Sequence, residues 1–127
     1  MNLVSPLNRV IGLGSAKTGA QAWWLQRVSA VALIPLGLWL ALSLFAMDDF
    51  GYAAAAVWVQ RPVTSILLVL TVLIASYHSY LGVQVVIEDY VHGAASKTAA
   101  LIGSVLAHFG LCVAALFAIL RIAFGPS

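Results

Sequence analysis

Residues 63–87 read VTSILLVLTVLIASYHSYLGVQVVI, a run of apolar and small polar side chains without a charged residue. Two further uncharged runs lie on either side of it, at 28–47 and 99–120. A helix rises about 1.5 Å per residue, so roughly 20 residues cross the hydrocarbon core of a bilayer while satisfying their own backbone hydrogen bonds. The three runs therefore predict three transmembrane helices.

The composition supports this class. Of the 127 residues, 63% are hydrophobic and 8% are charged, with a mean hydropathy of +1.04. Soluble proteins carry about 45–50% apolar and about 25% charged residues, so this chain lacks the polar surface of a water-soluble domain. The net charge is only +2 and the cations are scattered, which argues against a nucleic-acid partner. The single Cys112 excludes an internal disulfide and a multi-cysteine metal site.

We predict an all-α membrane protein in three parts. They are an N-terminal segment at 1–27, a three-helix membrane anchor at 28–120 and a short C-terminal tail at 121–127. The alanine run before Trp58 predicts a short interfacial helix between the first two spans. In the third span a stripe of small residues predicts a helix-packing face; it comprises Gly103, Ala107, Gly110 and Ala114.

The cations are distributed unevenly between the two ends of the spans. The end that carries the N-terminus has Arg9, Lys17, Arg27 and Lys97, and the opposite end has Arg61 and Arg121. The positive-inside rule then predicts a cytoplasmic N-terminus and a cytoplasmic loop between the second and third spans. The lack of an Arg-rich, Ser-rich presequence favours a bacterial cytoplasmic (inner) membrane over a mitochondrial inner membrane.

Two histidines lie well inside the predicted spans, His78 ten residues before Glu88 and His108 ten residues after Thr98. Each is about 15 Å from the cytoplasmic boundary on helical rise, where an ionisable side chain usually faces a partner, a cofactor or a wet cavity. Either imidazole could instead bond a neighbouring carbonyl or hydroxyl. Beside His78, Gly82 removes a side chain one turn further on, and a flat macrocycle bound through its iron needs such a gap. His78 is therefore the candidate haem ligand, although Gly82 could equally serve helix packing.

Polar side chains collect where the second span reaches the interface: Glu88, Asp89, Tyr90 and His92. A phenol can donate to a quinone carbonyl, and neighbouring carboxylate and imidazole groups can relay the two protons of quinone reduction. Arg27, at the same membrane face, could pair with haem propionates or an oxyanion. Such residues also occur at ordinary helix ends, so spacing alone leaves both interpretations open.

Three motifs carry a resemblance to a known family. They are GSAK at 14–17, WWLQRVSA at 23–30, and His78-x-x-x-Gly82 followed by EDY at 88–90. Together they are similar to the small, cytochrome-b-type hydrophobic membrane anchor of succinate dehydrogenase (complex II), in its D-type form. The resemblance covers most of the chain. The third span matches nothing distinctive, and Ala22 stands where relatives often have His.

The resemblance implies half of a heterodimeric helix bundle, completed by a second cytochrome b anchor subunit. It implies that His78 is an axial ligand of a haem b shared with that subunit, and that Arg27 approaches the haem propionates. Tyr90 and Asp89 are then expected to donate to ubiquinone and to lie beside its pocket. FAD and iron–sulfur clusters belong to the flavoprotein and iron–sulfur partner subunits, so no activity is expected from this chain alone. Such a complex links the citric acid cycle to the respiratory chain.

Two other interpretations stay open. A structural membrane anchor or small transporter bundle without haem would make His78 a packed polar residue. Alternatively, His78 and His108 lie at equal predicted depth and could both ligate one haem within this chain.

Overall fold

The computed structural model of the chain describes residues 16–126. They form four α-helices, with no β-strand in that range: α1 Ala16–Phe45, α2 Tyr52–Gln60, α3 Pro62–Tyr90 and α4 Ala94–Ala123. Three of them contain segments long and apolar enough to cross a membrane, namely Gly19–Phe45, Pro62–Tyr90 and Ala94–Ala123. The predicted all-α fold with three membrane-spanning helices is confirmed.

The long helices extend beyond the uncharged runs that predict them. α1 begins at Ala16, twelve residues before the run at 28–47, and α4 continues through Arg121 to Ala123. A charged residue ends an apolar run, but it does not end a helix, since arginine, glutamine and alanine are all good helix formers. Position 27 is therefore no helix boundary. Residues 1–15 of the predicted N-terminal segment, with the first half of the GSAK motif, lie outside the described residues.

The short helix predicted from the alanine run is confirmed as α2. Before it, the backbone N–H of Gly51 donates to Asp49 Oδ1 at 2.8 Å. The Trp58 ring of α2 stacks on the Trp39 ring of α1, with centroids 6.0 Å apart. This contact links α2 to α1, while the backbone of α2 packs against α3 and α4. α3 then starts at Pro62, where a missing N–H costs no helical hydrogen bond.

α3 is the central helix of the chain. Its backbone packs against α1, α2 and α4, whereas the backbones of α1 and α4 do not approach each other. Within residues 19–126 the buried side chains are few: Val59, Leu81, Ser29 and Thr64. Most large apolar side chains face outward, where lipid or the helices of another subunit can cover them.

The small-residue stripe of α4 does not pack against another helix of the described chain. A Cβ placed on Gly103 or Gly110 would have no heavy atom within 4 Å. Ala107 and Ala114 are exposed as well. The stripe faces away from α3, so the predicted packing face is not covered by any helix of residues 16–126.

Candidate functional site

His78 lies on the side of α3 that meets α1. Its Nδ1 atom is 2.9 Å from the Oγ atom of Ser29. The same hydroxyl donates to the backbone carbonyl of Gln26 at 3.0 Å. Ser29 is only 7% exposed, so the hydrogen bond between the two helices is shielded from competing partners.

The proton count assigns the tautomer of His78. A hydroxyl has one hydrogen, and a carbonyl oxygen can only accept. When Ser29 donates to the Gln26 carbonyl, the second contact is satisfied only if His78 Nδ1 carries the ring proton and donates to Oγ. In the neutral imidazole with hydrogen on Nδ1, Nε2 keeps its lone pair, and no side chain of residues 19–126 bonds it. A neutral imidazole in this form can bind a metal through Nε2.

His108 has a different bonding pattern. Its Nδ1 donates to the backbone carbonyl of Ser104 at 2.8 Å, and its Nε2 accepts from the Ser79 hydroxyl of α3 at 3.1 Å. The Tyr80 ring lies edge-on to the imidazole at 6.0 Å between centroids. Both ring nitrogens are therefore occupied, Nδ1 by a hydrogen bond within α4 and Nε2 by one that joins α4 to α3, as expected of a structural histidine.

The two imidazoles also face different helices. His78 turns from α3 toward α1, whereas His108 turns from α4 toward α3. This difference in direction does not support ligation of one haem by His78 and His108 together. Among the described residues, no cluster of three or more His, Cys, Asp or Glu side chains could hold a metal ion. The candidate ligand is thus a single imidazole, which is what haem iron takes from one helix.

Gly82 lies one turn beyond His78, against the side chain of Gln26. A Cβ placed on Gly82 would be 3.6 Å from Gln26 Nε2, an ordinary van der Waals distance. The space beside the imidazole is therefore bordered by an amide from α1. The Oε1 atom of that amide is buried and has no hydrogen-bond partner within the described chain. Such an unpartnered acceptor is costly.

These contacts set the register of α1 on α3. Ser29 meets His78 and Gln26 meets Gly82, so in this antiparallel pair Arg27 lies level with the turn that follows His78. The end of α3 at Tyr90 is about 14 Å further along the axis. Arg27 is therefore close in depth to His78 and distant from Tyr90.

The Arg27 side chain points to another side of α1. It follows Gln26 and precedes Ser29 by two positions, which is about 200° around a helix. Its guanidinium lies over the Trp23 ring, 5.4 Å from the centroid. The structure thus places Arg27 near the depth of His78 without bringing the two side chains together.

The remaining predicted site residues are at the end of α3. Tyr90 is 77% exposed, and Asp89 is exposed too. Asp89 lies eleven residues after His78 and therefore shares its helix face. Tyr90 lies about 120° from His78 around the helix axis. The phenol and the carboxylate are accessible to a ligand or a partner from outside the chain.

Polar contacts surround the end of α3 and the turn that leads to α4. His92 Nδ1 donates to the Tyr90 carbonyl at 3.0 Å, and Lys97 Nζ donates to the Glu88 carbonyl at 2.9 Å. Glu88 also accepts from Gln84 Nε2 at 2.9 Å. A cation bonded to the last carbonyls of a helix stabilises its end. These contacts therefore stabilise the end of α3, where Asp89 and Tyr90 lie.

The sequence predicts no site role for Ser29, Gln26 or Ser79, although the first two belong to the motif at 23–30. Ser29 and Gln26 stand three positions apart and share one face of a mostly apolar helix. That spacing is a usable signal for a polar contact between helices. It does not say which residue of another helix lies opposite.

The fold and site define a small, three-span helical membrane protein that offers one imidazole nitrogen at mid-helix and an exposed phenol and carboxylate at a helix end. The family model of succinate dehydrogenase/fumarate reductase transmembrane subunits matches residues 1–120. The chain belongs to this family, and the predicted relationship to the membrane anchors is confirmed.

Similar proteins carry consistent names. The succinate dehydrogenase hydrophobic membrane anchor subunit of Paracoccus denitrificans is 30% identical over 125 residues, covering 98% of this chain and 96% of that protein. The subunit of the same name in Rickettsia bellii is 40% identical over 78 residues, covering 61% of this chain and 62% of that protein. That match spans less than two thirds of the Rickettsia protein. No solved structure matches the chain significantly.

Proposed function

We propose that this chain is the D-type hydrophobic membrane anchor of a succinate:ubiquinone oxidoreductase in a bacterial cytoplasmic membrane. It tethers the flavoprotein and iron–sulfur subunits, shares a haem b with a second cytochrome b anchor and lends residues to the ubiquinone-reduction site. The names of its relatives and its three-span fold support the anchoring role. The outward-facing apolar side chains support a second membrane protein as a partner.

The hydrogen bond between Ser29 and His78 is the main structural support for His78 as a haem ligand. In the neutral tautomer that this bond selects, the Nε2 lone pair of His78 is directed away from Ser29 and is available to a metal. When bound, haem b supplies an iron that accepts and returns one electron. His78 holds that iron from this chain, and Arg27, at nearly the same depth, provides a fixed positive charge for the propionates.

The comparison of the two histidines favours this role over a purely structural one. A packed polar histidine is expected to use both ring nitrogens, as His108 does with Ser104 and Ser79. His78 uses one nitrogen within the described chain. The alternative of a haem-free structural anchor or small transporter bundle leaves that difference without a reason.

The exposed end of α3 fits the quinone part of the proposal. Ubiquinone takes up two electrons, which the partner proteins deliver from succinate, and two protons from water. The Tyr90 hydroxyl donates a hydrogen bond to a quinone carbonyl, and Asp89 and His92 pass protons toward it. All three residues are exposed at one end of the helix, where water and a lipid-soluble quinone can both reach them.

Purification of the tagged full chain from its own membranes in mild detergent tests the assignment. We expect a flavoprotein, an iron–sulfur protein and a second small membrane protein to co-purify, with succinate:quinone reductase activity and a b-type band in the reduced-minus-oxidised spectrum. Recovery of the chain without any dehydrogenase component would contradict the anchoring role. An active complex without a b-type band would contradict the haem assignment and leave the anchoring role in place.

A further inference from the structure

Ser29 is the buried polar residue that contacts the candidate ligand. Its hydroxyl gives its one hydrogen to Gln26 and receives the Nδ1 hydrogen of His78, at 3.0 and 2.9 Å. Both contacts are made from a side chain that is 7% exposed. The hydroxyl is therefore oriented by its own helix before it meets the imidazole.

This orientation has a chemical consequence. Because the hydrogen of Ser29 is already committed to a carbonyl, only the lone pairs of Oγ face His78, and they select the tautomer with hydrogen on Nδ1. An acceptor on that hydrogen also makes the opposite nitrogen a stronger electron donor. Ser29 thereby strengthens the electron donation of Nε2 through its hydrogen bond with Nδ1.

We propose that Ser29 is a positioning residue for haem binding: it holds His78 in the tautomer and ring orientation that ligate iron, and it lowers the reduction potential of that iron. The inference rests on the proposed function, in which His78 is an axial ligand. Loss of the hydroxyl weakens donation from Nε2, which favours ferrous over ferric haem, so the midpoint potential rises. Partners of this kind contribute about 10- to 100-fold to metal affinity.

The test uses the assembled complex carrying Ser29→Ala, Ser29→Thr or Ser29→Val. Threonine and valine have nearly the same shape and differ in the hydroxyl, so this pair separates the hydrogen bond from packing. Ser79→Ala is the matched control, because Ser79 bonds the other membrane histidine, His108, at 3.1 Å. The readouts are the haem-to-protein ratio and the midpoint potential from a redox titration.

We expect Ser29→Ala and Ser29→Val to raise the midpoint potential and to reduce haem retention about 10- to 100-fold on dilution, whereas Ser29→Thr and Ser79→Ala stay near wild type. Wild-type potential and haem content in Ser29→Val would overturn the proposal, as would an equal shift in Ser79→Ala. Failure of Ser29→Val to assemble, when haem-free His78→Ala assembles, would also overturn it, since Ser29 would then serve folding.

The His78→Ala complex distinguishes failure of the Ser29 proposal from failure of the proposed haem ligation by His78. Loss of haem in His78→Ala together with no effect of Ser29→Val contradicts only the role of Ser29. Retention of haem in His78→Ala contradicts the proposed function itself, whatever the Ser29 variants do.

Discussion

The Ser29 hydroxyl and His78 Nδ1 are 2.9 Å apart, although 49 positions separate the two residues in the chain. Ser29 is the second residue of the uncharged run at 28–47, whereas His78 is ten residues from the nearest charge, Glu88. Since the two side chains lie at one level along the helix axes, the part of α1 that packs beside the second half of α3 begins before residue 28. The segment Gly19–Phe45 is long and apolar enough to cross a membrane, and Arg27 belongs to it; a long cationic side chain in such a segment can snorkel toward the surface.

Replacing Arg27 with Gln is expected to lower the midpoint potential of the haem. A positive charge near the iron favours the reduced state, and its effect is larger in a low-dielectric region than in water. Redox titration of the purified complex measures the shift, with Arg121→Gln, in the last turn of α4, as the control. An unchanged potential in Arg27→Gln would show that the guanidinium does not approach the haem.

Tyr90→Phe is expected to slow quinone reduction about tenfold, the effect of one lost hydrogen bond worth about 1.4 kcal/mol. Succinate oxidation with an artificial acceptor should be unaffected, because that assay bypasses the quinone site. Tyr52→Phe is the matched control, since Tyr52 is similarly exposed, at 79% against 77% for Tyr90, but belongs to α2. Equal losses in both assays would argue against a quinone role for Tyr90.

Gly82→Ala distinguishes a space requirement of the haem from ordinary helix packing. The added Cβ meets only Gln26 Nε2, at 3.6 Å, so the chain itself should accommodate it and assemble. If a macrocycle lies beside the imidazole, the haem-to-protein ratio falls. Gly37→Ala, which would have no heavy atom within 4 Å, should leave that ratio unchanged. A normal haem content in Gly82→Ala assigns the glycine to helix packing.

The predicted orientation can be tested with single cysteines introduced after Cys112→Ser. Asp49→Cys in the loop before α2 and His92→Cys in the loop before α4 both occupy exposed positions. With a cytoplasmic N-terminus, a membrane-impermeant thiol reagent should label Asp49→Cys in spheroplasts and His92→Cys in inverted vesicles. The reverse pattern would place the N-terminus and the Tyr90 end of α3 on the far side.

The three spans, α2 and the two membrane histidines could be predicted because charge-free length and single ionisable residues are properties of one helix at a time. The residue that each histidine contacts on a neighbouring helix could not be predicted from the sequence. The pairing of Ser29 with His78 depends on how α1 slides along α3, which is decided by side-chain packing between residues far apart in the chain. For the same reason the sequence places Arg27 at the membrane face of Tyr90, whereas the register separates them by about 14 Å.

Replacing each of the two membrane histidines in turn is the decisive test of haem ligation by His78. His78→Ala and His108→Ala make the same chemical change in neighbouring helices, and the reduced-minus-oxidised spectrum of each purified complex, normalised to flavin, measures the bound haem. We expect His78→Ala to lose or strongly alter the b-type band and His108→Ala to keep it. A normal band in His78→Ala, or its loss in His108→Ala alone, would contradict the assignment of His78 as the haem ligand.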